Sequence, residues 1–228
     1  MDVVRSDTPD VEAGAALVSH LERHKRAPVL LLLSGGSSFS LLPHVSELVP
    51  GDALTIGVLD ERCSADRKAN NFSQLSETDF FKNALARNAR SIDTVLRPGE
   101  SCTALGERWE RELRAWRATH KNGKIIATMG VGADGHTAGI MPNMREIDFN
   151  RSAWVVSYSV PLSVNPYPDR ITTTFTFLRN IVDSAVVYVA GASKQSALQN
   201  ILRNEGDIIS TPARIVREMH DIRIFTDL

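Results

Sequence analysis

Ile125-Ile126-Ala127-Thr128-Met129-Gly130-Val131-Gly132-Ala133-Asp134-Gly135-His136-Thr137 carries an apolar run straight into a glycine-rich turn. The run reads as a buried strand, and the turn presents a carboxylate, Asp134, beside an imidazole, His136. In open parallel sheets, reactive groups gather in the crevice beyond the carboxyl ends of the strands. Histidine is also the side chain whose ordinary pKa best suits proton transfer near neutral pH. The stretch therefore reads as the catalytic corner of an α/β domain. A blander reading makes His136 a loop residue capping a helix that starts near Thr137. Gly132 and Gly135 favour the first reading, because they allow a tightly shaped backbone.

Outward from this turn, strands and helices alternate. Asp10 is expected to cap a helix reaching about residue 26, with Val11, Ala15, Leu17, Val18 and Leu21 as its apolar stripe. Residues 29–33 and 54–59 read as buried strands, and residues 77–87 as a helix. Ser101 is placed at the start of a longer helix to about residue 120, with Leu105, Trp109, Leu113 and Trp116 at helical spacing. Strands follow over 124–129, 153–160, 170–174 and 185–190, with a proline-spaced loop over 161–168. Gly191 to Lys194 opens a helix to about residue 202, and residues 221–226 alternate like an edge or terminal strand. Near-continuous apolar strands alternating with helices predict a Rossmann-like α/β fold, a mostly parallel sheet with helices on both faces. No repeat or linker divides the chain, so residues 1–228 are expected to form a single domain.

Composition narrows the function. Hydrophobic residues at 43% and charged residues at 23% are ordinary for a globular protein. A net charge of −1 gives no general attraction to nucleic acid or to an anionic membrane, so any anion site must be local. The longest apolar run, Pro28 to Leu33, is far too short to span a bilayer, and no signal peptide opens the chain. A cytoplasmic location is the expectation. Cys63 and Cys102 lack CxxC or CxxH spacing, which indicates neither a zinc site nor a redox pair. The remaining histidines, His20, His24, His44, His120 and His220, supply no third ligand near His136, so a zinc or iron centre is disfavoured.

Other strand ends carry polar groups too. Ser34-Gly35-Gly36-Ser37-Ser38 follows the first strand and leads into a helix, whose free N–H groups suit an anion. It is neither a Walker loop nor a dinucleotide fingerprint. Asp60-Glu61-Arg62 ends the second strand, and three charges there must face solvent or a site rather than lie unpaired in the core. Arg170 and Lys194 are the candidate anion holders, one as a bidentate fork and the other near a helix start. Each of these, taken alone, also fits a plain turn or a solvated surface cation.

Together they form a pattern. Ser34 to Ser38, Asp60-Glu61-Arg62, Asn70-Asn71, Gly130 to Thr137, Arg170-Ile171-Thr172 and Gly191 to Lys194 stand in an order that resembles the 6-phosphogluconolactonases. That family is grouped with the glucosamine-6-phosphate deaminases, and the resemblance covers about residues 10–225. It implies hydrolysis of 6-phospho-D-glucono-1,5-lactone to 6-phosphogluconate in the oxidative pentose phosphate pathway, with no metal or organic cofactor. His136 would be the general base that activates water, with Asp134 shaping its loop. Ser34, Gly35, Gly36, Ser37, Arg62, Arg170 and Lys194 would hold phosphate and sugar oxygens. The implied partner is the small phosphosugar lactone, with the protein acting as a monomer or homodimer.

The chain departs from the family pattern at Phe39, where proline is usual, and after Arg170, where Thr173, Phe177 and Leu178-Arg179-Asn180 stand. Two alternatives belong to other classes. A deaminase would carry glutamate where this chain has Met141, and usually tyrosine where it has Arg62. A non-catalytic sugar-phosphate binder would keep Arg170 and Lys194 but would not need His136.

Overall fold

The computed structural model describes residues 1–45, 51–144, 149, 152–163 and 165–228. Val164, within the loop expected over 161–168, lies outside the described residues. In chain order the elements are β1 (Asp2–Arg5), α1 (Pro9–Arg23), β2 (Val29–Leu33), β3 (Leu54–Val58), β4 (Asp60–Arg62), α2 (Asn71–Ser76), α3 (Asp79–Ala86) and β5 (Arg90–Ser91). Then come α4 (Cys102–Thr119), β6 (Lys124–Gly130), β7 (Val155–Ser159), β8 (Asp169–Thr173), α5 (Phe175–Asn180), β9 (Ser184–Tyr188), α6 (Gln195–Leu202) and β10 (Ile222–Thr226).

Seven strands form one parallel sheet in the order β1-β10-β9-β6-β2-β3-β5. β2 shows why it needs cover on both sides, since all five of its residues are buried. Leu30 and Leu32 pack with Leu105, Trp109, Leu113 and Trp116 of α4. Val29, Leu31 and Leu33 face Leu17 and Leu21 of α1 and Phe80 and Phe81 of α3. Each fully buried leucine contributes about 1.5–3 kcal/mol of transfer free energy, so this strand alone anchors both layers. The mostly parallel α/β architecture expected from the apolar runs is the one observed.

The structure corrects several details. Strands β7 and β8 do not join the large sheet; with β4 they make a separate antiparallel sheet in the order β4-β8-β7. Helix α4 packs over β7 and β8 on its other side, so it is shared between the two sheets. β10 is the last strand but not an edge, because the unanticipated β1 pairs outside it. Helix α1 begins at Pro9 after Thr8, with Asp10 in its first turn rather than at the cap. The helix expected over 77–87 is α3, capped by Thr78, whose hydroxyl accepts from Phe81 N–H. A separate short helix, α2, precedes it and is capped by the Asn70 side chain.

The two cysteines, whose spacing indicates neither a zinc site nor a redox pair, form a disulfide with a Cα–Cα separation of 5.5 Å. Cys63 directly follows β4 and Cys102 is the first residue of α4, so the bond ties the small sheet to the shared helix. Their sequence separation of 39 carries no motif; only the fold brings them together. Among the described residues no helix is long and apolar enough to cross a membrane.

Candidate active site

Topology decides where a cleft opens. β2 leads outward to β3, whereas its neighbour β6 leads to β9 on the opposite side. Adjacent strands whose connections leave in opposite directions open a crevice at their carboxyl ends. The turn at 34–38 leaves β2 and the turn at 130–137 leaves β6, so these form its two lips. A cleft of about 250 Å³ lies there, lined by Ser34, Gly35, Gly36, Ser37, Arg62, His136, Arg170 and Lys194. Every anion-holding residue expected from sequence is therefore brought to one place, and His136 with them.

His136 stands in a constrained pose. Its Nδ1 lies 2.6 Å from Asp134 Oδ1, and its backbone N–H donates to the same oxygen at 3.0 Å. An ionised carboxylate only accepts, so Nδ1 carries the proton and the Nε2 lone pair is left over. The hydrogen bond from His136 in turn holds the Asp134 carboxyl below the usual carboxylate range. Asp134 itself does not line the cleft; it acts on the ring. Gly132 is required by the approach of that ring, since a Cβ there would stand 2.1 Å from His136 Nδ1. No helix starts at Thr137. The chain instead makes narrow bridges between Val131 and Thr137 and between Thr137 and Ile140, which removes the helix-cap reading of His136.

The backbone beyond His136 is unusual, with Ala138 at φ +45° and Gly139 at φ +67°. Hydroxyls hold it there. Thr137 Oγ1 donates to Gly130 O at 2.7 Å, Thr172 Oγ1 donates to Ala138 O, and Tyr158 donates to Gly139 O. Two of these donors come from the small antiparallel sheet, which thus shapes the lip that carries the imidazole.

The cationic groups divide between the two sheets. Lys194 ends a short turn behind Gly191, after β9, and its Nζ donates to Ser37 Oγ at 2.9 Å. Burial pulls its amine below the ordinary lysine value. Arg62 and Arg170 lie directly opposite each other on β4 and β8. Arg170 is only 3% exposed, and the Nε of each arginine finds no hydrogen-bond partner among the described residues. Ser34 Oγ is likewise buried without a partner. Unpaired buried polar atoms are costly, roughly 1–3 kcal/mol each, so a cluster of them at one cleft marks a place prepared for a polar ligand.

Of Asp60-Glu61-Arg62, Asp60 and Arg62 face the cleft as expected, and Glu61 does not. Glu61 faces neither solvent nor the cleft; it is fully buried. Its Oε1 accepts from Arg62 N–H and Asn71 N–H, and its Oε2 from Phe72 N–H and Thr94 Oγ1. Burial still pushes its carboxyl up to about 8. Four donors satisfy a group that could not otherwise lie in the core, and they fix the start of α2 against β4.

Asp60, Asn71, Met141 and Asn165 also line the cleft, and sequence reasoning assigned them no role. Burial raises the Asp60 carboxyl above its ordinary range against the pull of Arg170, Arg62 and His136. The Asn70-Asn71 pair was a visible motif that could have pointed to Asn71; nothing marked Asp60 apart from its neighbours. Among the described residues no group of three or more His, Cys, Asp or Glu side chains is arranged to hold a metal ion.

Comparison with known proteins agrees with this geometry. The family model described as glucosamine-6-phosphate isomerases/6-phosphogluconolactonase matches residues 11–225. A probable 6-phosphogluconolactonase 1 of Arabidopsis thaliana is 24% identical over 216 residues, covering 88% of this chain and 79% of that protein. A 6-phosphogluconolactonase of Borreliella burgdorferi is 24% identical over 176 residues, covering 75% of this chain and 71% of its own. The fold matches the solved 6-phosphogluconolactonase of Plasmodium vivax with a TM-score of 0.78 at 14% identity, over 98% of this chain and 89% of that one. It matches the enzyme of Thermotoga maritima with a TM-score of 0.71 at 22% identity, over 98% and 97% of the two chains. The chain belongs to the glucosamine-6-phosphate isomerase/6-phosphogluconolactonase family.

Proposed function

We propose that the protein hydrolyses 6-phospho-D-glucono-1,5-lactone to 6-phospho-D-gluconate, a step of the oxidative pentose phosphate pathway in the cytoplasm. One observation carries the reading: an imidazole with Nδ1 committed to Asp134 opens on the same cleft as Lys194, Arg170 and the turn at 34–37. The lactonase names of the relatives support the substrate.

In this mechanism Lys194, Arg170 and the turn of Ser34, Gly35, Gly36 and Ser37 hold the phosphate, so the lactone carbon is positioned before any bond changes. His136 Nε2 takes a proton from water as the water oxygen bonds to that carbon. Asp134 steadies the imidazolium, which strengthens the base without exchanging a proton itself. Negative charge collects on the former carbonyl oxygen, where Arg62 or the backbone N–H groups of the glycine loops that line the cleft stabilise it. The bond from carbon to ring oxygen then breaks, and the imidazolium returns its proton to that oxygen. The product is an open-chain acid with a free hydroxyl, and His136 is neutral again.

Met141 and Arg62 favour hydrolysis over deamination. Both line the cleft, and they stand where a deaminase-like relative is expected to carry glutamate and tyrosine. A thioether offers no proton for opening an amino sugar ring. The test sets freshly generated lactone against glucosamine 6-phosphate, each beside an enzyme-free control, because the lactone also opens on its own. Turnover of the lactone above that control is expected, with none of the amino sugar. Lactone loss no faster than the control rejects the proposal.

A further inference from the structure

The two lips of the cleft are joined by a short stack of side chains with a glycine at each end. Asn71 is 1% exposed, and its polar contacts run to β4. Its N–H donates to Glu61 Oε1 at 2.6 Å, and its Nδ2 donates to Asp60 O at 2.9 Å and to Asp60 Oδ2 at 3.2 Å. Those two acceptors settle the amide orientation, since a flipped amide would set Oδ1 against two oxygens. Oδ1 therefore points away from Asp60 and has no partner of its own. It presses on the turn after β2, where a Cβ on Gly35 would stand 2.2 Å from it. On the far side, a Cβ on Gly139 would stand 2.6 Å from both Cβ and Oδ2 of Asp60. Gly139 lies three residues beyond His136 in the loop that Thr172 and Tyr158 hold in place.

Resting on the reading above, we infer that Asn71 is a positioning residue: with Asp60 it forms a solid spacer, Gly35–Asn71–Asp60–Gly139, that sets the distance between the anion turn and His136. The Asn70-Asn71 motif thus has a part in the site without touching the reacting atoms. A phosphate held by one lip places the lactone carbon correctly only if the other lip stays at a fixed distance. Misplacement of about 1 Å costs roughly a hundredfold in rate, whereas an anion alone needs only its own lip.

A double-substitution cycle with Gly35→Ala and Asn71→Ala tests the spacer, using kcat on the lactone and the Kd of inorganic phosphate. For Asn71→Ala, kcat is expected to fall about tenfold or more while phosphate Kd stays within about threefold. Gly35→Ala alone should weaken phosphate about tenfold, and the loss should shrink to about threefold once Asn71 is alanine, because the new methyl then has room. The same Gly35→Ala penalty in both backgrounds overturns the inference. So does an unchanged kcat, or a kcat that falls only in step with phosphate affinity and melting temperature. Asn71→Ser replaces alanine in the cycle if that variant does not fold. Should the wild-type protein turn over no lactone, the phosphate arm still reads the coupling, so the two proposals fail separately.

Discussion

The seven-stranded parallel sheet and the three-stranded antiparallel sheet contribute to the same cleft in opposite ways. The large sheet is mostly apolar in its central strands β2, β6 and β9, and it brings the backbone of its loops: the turn after β2, the loop after β6, and the turn after β9 that carries Lys194. The small sheet brings buried ionisable groups, with Asp60, Glu61 and Arg170 all under a tenth exposed. One region is held by burial of hydrocarbon, which is insensitive to exact partners. The other adds hydrogen bonds and a covalent link, each of which needs its partner in place. A site built this way has a tolerant frame and an intolerant wall.

That contrast can be broken most sharply from the large-sheet side. His136→Ala should slow lactone hydrolysis by roughly 10²–10⁴-fold while leaving the melting temperature near that of the parent, because the ring is partly exposed. Turnover at the parent rate would remove the base from the mechanism. Replacing Lys194 and Arg170, the two cations proposed to hold phosphate, should separate the regions. Lys194→Ala is expected to raise KM about tenfold with stability unchanged. Arg170→Ala should raise KM as well and also destabilise the fold by about 0.5–3 kcal/mol, since it empties a buried position and removes one of the cations facing Asp60. Equal stability losses for the two variants in urea titrations would contradict the division.

Opening the Cys63–Cys102 bond tests the wall alone. A cross-link closing a loop of 39 positions restricts the unfolded chain by about 4 kcal/mol in the chain-entropy model. Dithiothreitol should therefore lower the denaturation midpoint of the parent and leave that of a Cys63→Ser/Cys102→Ser variant unmoved. The smallest effect belongs to the large sheet, where His20 of α1 is buried with Nδ1 3.1 Å from Ser184 Oγ. Burial lowers its pKa from the ordinary 6.5, so the unfolded chain takes up a proton that the folded site refuses. Stability should be complete above that value and decline as pH falls below it. His20→Asn should flatten the decline, measured by denaturation between about pH 8 and pH 5.

The same contrast explains what the amino-acid sequence revealed. Val29 to Leu33 and Lys124 to Gly130 announced themselves because a strand buried on both faces must be a continuous apolar run. The glycines beside them marked the loops, so Ser34, His136 and Lys194 were found with their elements. In the small sheet, the strands over 153–160 and 170–174 were legible too, but β4 and the pairing of the three were not. A three-residue strand made of Asp60, Glu61 and Arg62 looks like surface, and only Asn71, Phe72 and Thr94, brought in by the fold, make Glu61 bearable in the core. The disulfide was illegible for the same reason, as was the spacer role of Asn71. Long-range satisfaction of polar groups has no period to read.

Strand β1 has a consequence for how the molecule is assembled. Asp2 to Arg5 pair in register with Arg223 to Thr226, so this side of the sheet is closed by two strands that lie far apart along the chain. Until β1 docks, the outer margin of β10 is bare, and a folding intermediate offers it to any passing extended peptide. Closure of that margin is a late, slow event set by long loop closure, and a chaperone that shields strands would be of most use in the interval before it.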